Sequence, residues 1–249
     1  MNSGAVAVGF AKAGEIEDAV AKAYENWIGE GCHAEMAYLE RHIPLRRHTD
    51  NVLKGARTVI SLAFSYVPEN WRDLSLPTIS AYAYGEDYHV VLRDILKPVV
   101  NTFKEELGGN WRICIDSAPV AEKFWAVKSG IGIVGLNGAV ITKRAGSLCF
   151  LVEILTTIEF QPDQEARGEC LKCNKCINIC PGGAIRGDTT LNSAKCINYL
   201  TIEKKTAFTP LEAEFLENYP AIKGCDRCLR VCPHNKGVPP TKINRFKSQ

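Results

Sequence analysis

No stretch of this 249-residue chain approaches 18 consecutive apolar residues, which excludes a membrane-spanning helix on sequence grounds. Residues 1–20 lack a basic start followed by a long apolar run, so no secretory signal is expected, and no twin-Arg signal is present. Charge of one sign is also scarce. Thirty Lys and Arg face 28 Asp and Glu, for a net charge of +2. That balance generates no global field for nucleic acid, so such binding would need a local basic patch. There is no low-complexity segment, and no internal repeat beyond two Cys-Pro runs. A hydrophobic fraction of 46% and a charged fraction of 23% fit a soluble globular protein with a real core. The length suits one large or two small domains.

Cysteine is plentiful, with eleven residues. Without a signal peptide a disulfide framework is rejected as their purpose, and a reducing cytoplasm fits the chain. The first run is Cys170, Cys173, Cys176 and Cys180, followed by Pro181. Its C-x2-C-x2-C-x3-C-P spacing is that of bacterial ferredoxins, which hold iron–sulfur clusters. The second run, Cys225, Cys228 and Cys232 before Pro233, lacks one ligand, which Cys196 supplies from a distance. In two-cluster ferredoxins the last Cys of each run crosses to the other cluster. The spacing therefore predicts Cys170, Cys173, Cys176 and Cys232 on one [4Fe–4S] cluster, and Cys180, Cys196, Cys225 and Cys228 on a second. Zinc also takes four thiolates, but three close sulfurs plus a crossing fourth suit a cube. Bound clusters would turn the small positive charge mildly negative. Cys114 and Cys149 sit in apolar strand patterns and read as small core residues. Cys32, beside His33, reads as a partly buried helix-end residue, with a ligand role as the alternative.

Ala5 to Phe10 reads as a short buried strand, and residues 15–28 carry a helical apolar stripe closed by Gly29 and Gly31. Residues 32–50 read as helix, then loop. Thr58 to Tyr66 is β-rich. His89 to Leu107 reads as a helix that Pro98 kinks or breaks. Trp111 to Ile115 is a short strand. Asp116 and Ser117 ahead of Pro119 signal a helix start, giving a helix to Ser129. Ala139 to Thr142 and Leu148 to Thr157 are strands. Alternating elements predict an α/β domain over residues 1–160. Gln161 to Glu169 reads as a linker, residues 169–236 as a short-element, ferredoxin-like domain, and residues 237–249 as a basic tail.

Several segments resemble the epoxyqueuosine reductase family in order along the chain. Ile115 to Lys123 (IDSAPVAEK) is similar to VDSAPV(M/L)ER. Met36 to Leu39 resembles EMAYL, Tyr84 to His89 resembles YGxDYH, and Lys128 to Gly132 resembles KAGLG. Gly146-Ser147 with Leu151 to Leu155 resembles GSFFFLGEIL. Cys196 to Glu203 resembles CISYLTIE, and Gly224 to Asn235 resembles GCDxCxxxCPxN. The resemblance covers nearly the whole chain.

The resemblance implies a nitroreductase-like, cobalamin-binding α/β (α+β) domain packed on a two-cluster ferredoxin domain. It implies reduction of epoxyqueuosine to queuosine at the wobble position of tRNA, with reduced cobalamin as the reactive centre, the clusters as electron relay and Asp116 as proton donor. A helix start would favour the Asp116 carboxylate, so burial against the corrin would have to raise its pKa. Tyr82, Asp116, Ser117, Ala118, Asn137, Val140 and Asn198 become candidate corrin contacts. Arg41 or Arg46 is a candidate for the nucleotide-tail phosphate. Gly130, Gly132, Gly135 and Gly138 would permit close backbone approach of the cofactor. The DxHxxG signature is absent, so no histidine is assigned to cobalt. The implied partners are tRNA carrying epoxyqueuosine and an external low-potential electron donor. A cytoplasmic monomer with no membrane partner is expected.

Two departures stand out. Leu136 replaces the Lys of a usual GKN, and the chain stops at Gln249, where many relatives continue into a helical-repeat region. Lys204, Lys205, Lys236, Lys242, Arg245 and Lys247 are candidate phosphate contacts. The competing readings are a cobalamin-dependent reductive dehalogenase and a ferredoxin-type carrier with no substrate of its own.

Overall fold

The computed structural model describes residues 4–73 and 75–247. In chain order the elements are β1 (Ala7–Lys12), α1 (Asp18–Gly29), α2 (Tyr38–Arg41), α3 (Ile43–Arg46), β2 (Thr58–Ser65), β3 (Thr78–Ile79), α4 (Tyr88–Leu107), β4 (Trp111–Cys114), α5 (Glu122–Lys128), β5 (Gly132–Val134), β6 (Val140–Thr142) and β7 (Cys149–Thr156). The cysteine-rich part adds α6 (Lys175–Ile179), α7 (Ile197–Ile202), α8 (Pro210–Asn218), β8 (Ala221–Lys223) and α9 (Arg227–Arg230).

The core is a four-stranded sheet in the order β1-β2-β7-β4, with every neighbour antiparallel. The mixed α/β class holds, with an antiparallel rather than a parallel sheet. All eight residues of β2 are buried, because both faces are covered. This is why its sequence is nearly continuously apolar instead of alternating. On one face Ile60, Leu62 and Phe64 pack with Val152 and Ile154 against Val91, Leu92 and Leu96 of α4. On the other, Val59 and Leu155 pack against Ile16, Ala21 and Trp125. One cross-strand row on this second face reads Gly9, Ser61, Glu153, Cys114. Gly9 is required there: a Cβ would lie 1.9 Å from the Ser129 carbonyl oxygen at the end of α5.

The structure departs from the sequence reading in four places. Helix α4 runs unbroken through Pro98. Helix α5 begins at Glu122, not at Pro119, and its N-cap residue is Ala121, so Asp116 caps nothing. Asp116 instead holds a left-handed backbone, φ 51°, which Asp tolerates better than most residues. The residue 161–169 linker is pinned: Asp163 N–H donates to Phe10 O at 2.9 Å, Phe10 N–H donates to Asp163 Oδ2 at 2.9 Å, and Ala166 N–H donates to Val127 O at 2.9 Å. The open edge of β1 supplies those unpaired backbone groups. Finally, the basic tail is folded in. Phe246 is buried in the α4-side core, and Arg245 pairs with Glu86 and Asp94 at 2.7 and 2.8 Å.

The cysteine-rich segment is stitched to the sheet domain rather than hung from it. Strand β3 pairs in parallel with β8. Asp226, 2% exposed, accepts the Ala81 N–H at 3.0 Å. Asn235 Oδ1 accepts the Ser147 N–H at 2.7 Å, and its Nδ2 donates to Leu229 O at 2.6 Å. Gly146 leaves room for this clasp, since a Cβ there would lie 2.0 Å from Asn235 Oδ1.

Candidate active site

Where β2 and β4 end and β7 begins, the sheet opens into a cavity of about 220 Å³. Its wall includes Tyr66, Tyr88, Asp116, Glu122, Val140 and Leu229. Asp116 reaches it from the strained turn after β4, with its side chain 64% exposed. The expected burial is therefore not a property of the polypeptide alone.

The Asp116 carboxylate is held by the first residues of α4. Tyr88 Oη donates to Asp116 Oδ2 at 2.9 Å, and His89 Nε2 lies 3.5 Å from the same oxygen. The Tyr88 ring is stacked on Phe150, 4.3 Å between centroids, and on His89, 4.0 Å, so its hydroxyl has little freedom. Burial and the Asp116 charge push the Tyr88 hydroxyl well above its usual range, so it stays protonated and can donate. Asp87 fixes the imidazole, with its Oδ1 2.9 Å from His89 Nδ1 while it accepts the His89 N–H at 2.8 Å as N-cap of α4. Sequence reasoning missed Tyr88 and His89 as site residues. The Asp87 N-cap ahead of an aromatic pair was the available signal.

Glu122, the first residue of α5, closes the turn from the other side. Its Oε1 accepts the Asp116 N–H at 2.9 Å. Enclosure by the cavity wall, with the neighbouring Asp116 charge, raises its pKa to about 7. Beneath it Glu153 is fully buried in β7, and neither carboxyl oxygen has a hydrogen-bond partner.

The other candidate residues scatter. Val140 lines this cavity and Tyr82 packs edge-on against Tyr88. Ser117 Oγ donates back to Ile115 O at 3.2 Å, and Ala118 packs on the second core. Asn137 lies in the turn between β5 and β6, 9% exposed, with no partner for Nδ2. Asn198, in α7, packs close to Gly224. Arg41 is exposed, whereas Arg46 acts electrostatically on Glu122. The glycine run serves the protein itself: Cβ atoms on Gly130, Gly132 and Gly138 would meet backbone at Gln164 O (2.5 Å), Ile141 O (2.7 Å) and Thr189 O (3.0 Å). On the side a Cβ would occupy, the close neighbour is the chain's own backbone.

The eight candidate thiols fall into two neighbourhoods. Cys176 and Cys232 both interact with Cys170, and Cys232 also with Cys173. Cys228 interacts with Cys225, Cys196 and Cys180, and more weakly with Cys176 of the first set. Cys170, Cys173, Cys176 and Cys232 line one small cavity with Leu136 and Asn137. Among the described residues no three His, Cys, Asp or Glu side chains are drawn together as a single metal ion requires. Of the remaining cysteines, Cys114 is buried. Cys149 lines the cavity with Asp116, and enclosure pushes its thiol up to about 12. Cys32 is 4% exposed, with Arg186 Nη1 3.1 Å from its sulfur.

Two family models match the chain: a 4Fe-4S double cluster binding domain over residues 169–235, and epoxyqueuosine reductase QueG over residues 46–117. The epoxyqueuosine reductase of Cyclobacterium marinum is 39% identical over 242 residues, covering 96% of this chain and 77% of that protein. The chain belongs to the epoxyqueuosine reductase family. Two solved epoxyqueuosine reductases superimpose closely. One, with a tRNA-Tyr epoxyqueuosine-modified stem loop, is 27% identical with a TM-score of 0.85, covering 100% of this chain and 66% of that one. The other, from Bacillus subtilis with its catalytic aspartate loop swung out of the active site, is 26% identical with a TM-score of 0.81, covering 98% and 65%. The chain thus spans about two thirds of these solved epoxyqueuosine reductases. Among the described residues no helix is long and apolar enough to cross a membrane.

Proposed function

We propose that this chain reduces epoxyqueuosine to queuosine in tRNA, using cobalamin and two [4Fe–4S] clusters, with Asp116 as proton donor. The observation that carries the reading is a carboxylate presented at a cavity mouth by Tyr88 and His89, beside one of two ferredoxin-spaced thiol sets.

The residues fit the cofactors. Two sets of four thiols, drawn from ferredoxin-spaced runs plus Cys196, suit cube-shaped clusters. The cavity combines apolar Val140, Leu151 and Phe150 with Asp116 and Glu122. Two residues before its wall at Ala139, the unpartnered Asn137 Nδ2 suits an amide-fringed macrocycle. Cobalamin, when bound, supplies a strongly reducing cobalt centre.

The chain's own residues do the rest. An epoxide oxygen leaves readily only when protonated as its bond to carbon breaks, and a positioned carboxylic acid provides that proton. Tyr88 and His89 aim the Asp116 carboxyl. The Asp116 turn, φ 51°, takes the place of the aspartate loop that is swung out of the active site in a solved Bacillus subtilis relative. The set of Cys180, Cys196, Cys225 and Cys228 adjoins the cavity through Leu229 and Tyr66, which interacts with Cys228. The other set reaches the surface at the exposed Cys173. Electrons would therefore enter from an external low-potential donor at Cys173 and leave toward the cavity. Lys204, Arg245 and Lys247 are engaged in ion pairs with Glu35, Glu86 and Glu69. Lys205, Lys236 and Lys242 remain the candidates for RNA phosphates.

Reconstituted with both clusters and cobalamin and given a strong reductant, the chain should convert an epoxyqueuosine anticodon stem-loop to the queuosine form, read by mass spectrometry. Asp116→Asn should lower the rate roughly 10²-fold or more with cluster and cobalamin absorbance retained. A fully loaded wild-type protein that leaves the stem-loop unchanged would overturn the reading.

A further inference from the structure

Removing an epoxide oxygen as water takes two electrons and two protons, and one carboxyl group holds one proton. The cavity contains a second carboxyl group that the mechanism above does not use. We propose that Glu122 is the second acid of this site, with Glu153 behind it as a positioning residue. The inference rests on the proposed reduction of epoxyqueuosine.

Glu122 lines the same cavity as Asp116 and is tied to it. Its Oε1 receives the Asp116 N–H, which leaves Oε2 to carry a proton. The groups facing it are mixed. Asp116 and Glu153 disfavour its ionised form, while Arg46 and Lys123 favour it. Tyr88 and Cys114 complete the titratable surroundings.

Glu153 sits deeper, 0% exposed, in one row with Ser61 and Cys114. Neither of its oxygens has a partner, and Ser61 Oγ has none either. An ionised carboxylate in such a place is prohibitively costly, so Glu153 is held neutral. Two carboxyl groups this close in an enclosed site cannot both ionise cheaply, and they titrate as a pair. Glu122, open to the cavity, releases its proton first. Glu153 keeps its own, so the pair is never doubly charged while Asp116 is also spent.

The balance is direct. The Asp116 proton goes to the epoxide oxygen as the first C–O bond breaks. The Glu122 proton goes to the resulting hydroxyl as the second C–O bond breaks and water leaves. The two electrons come from the external one-electron donor through the clusters. Both carboxylates then recover protons from solvent, Asp116 by way of the partly exposed His89.

Two measurements on the full chain with its clusters test this. Infrared difference spectra against pH, without substrate, should show a protonated-carboxyl band that titrates near neutrality and disappears in Glu122→Gln. A second band that persists at higher pH should disappear in Glu153→Gln. Absence of both assignments overturns the proposal whether or not the enzyme turns over. In the stem-loop assay Glu122→Gln, whose amide oxygen still receives the Asp116 N–H, should lower kcat roughly 10²-fold with KM unchanged. It should also abolish the fall in rate above about pH 7, and Glu122→Asp should recover part of the rate. Wild-type kcat and an unchanged pH profile in Glu122→Gln would overturn the second-acid role. A wild-type protein that fails to turn over would instead remove the assigned reaction and leave the infrared result to decide the carboxyl pair.

Discussion

At the scale of single residues, burial raises the pKa of two of the carboxyl groups gathered here, Glu122 and Glu153. Glu122 has an ordinary value of 4.5 and is raised to about 7. Below pH 4.5 it is protonated whether the chain is folded or unfolded, and its contribution to stability is fully present. As pH rises toward 7 the unfolded chain releases the proton while the folded chain retains it, so stability falls over that window. Glu153, raised further, continues the decline above it. Glu122→Gln should flatten the fall in thermal midpoint between about pH 4.5 and about pH 7; a slope identical to wild type would contradict the assignment. Asp116 and seven of the eight candidate thiols could be nominated from the sequence because each sits in a contiguous motif with fixed spacing; Cys196 lies outside both Cys-Pro runs. The company Asp116 keeps was not legible there. Tyr88 and His89 lie 28 and 27 positions before it, and Glu153 lies 37 after it. Only the antiparallel pairing of β4 with β7, and the start of α4, bring them together.

At the scale of elements, β2 and β7 were readable because a strand buried on both faces writes a long apolar run. The start of α5 was misplaced because Asp, Ser and Pro in succession imitate a helix N-terminus. The chain uses them for a strained turn that presents Asp116. The glycine run was ambiguous for a related reason: glycine records close approach but not by what. Helix α4 shows the limit of a local rule. Its apolar face buries Val91, Leu92, Leu96 and Val100, and this anchorage on both sides of Pro98 holds the helix together. Proline inside a helix costs about 3 kcal/mol relative to alanine. Pro98 is exposed, so Pro98→Ala removes no core packing. It should raise the thermal midpoint and stabilise the fold by about 1–3 kcal/mol, with activity unchanged. A lower midpoint would show that the ring serves the fold.

At the scale of the whole molecule, the family motifs are pieces of one assembly rather than independent signatures. Gly146-Ser147 and Asn235, far apart in sequence, form a single clasp, and Glu35 of the α1–α2 loop is gripped by Lys204 and Thr206. These hydrogen bonds, chiefly that from Thr206, hold the Glu35 carboxyl down at about 2. No spacing rule exposes such long-range joints. The division near residue 160 was visible as a change in composition, but the tail recrosses it. Phe246, 4% exposed, fills the α4-side core against Phe150, 5.1 Å between ring centroids. Phe246→Ala should destabilise the protein by about 3–5 kcal/mol and lower the melting temperature of the sheet domain, although the residue lies beyond the last cysteine. A change confined to the cysteine-rich segment would contradict this placement. The return of the tail also sets an order of maturation. The core opens with β1, is interrupted by the whole cysteine-rich segment, and is sealed by Phe246, which follows it. During synthesis the sheet domain therefore cannot bury Phe246 until the whole cysteine-rich segment has been made.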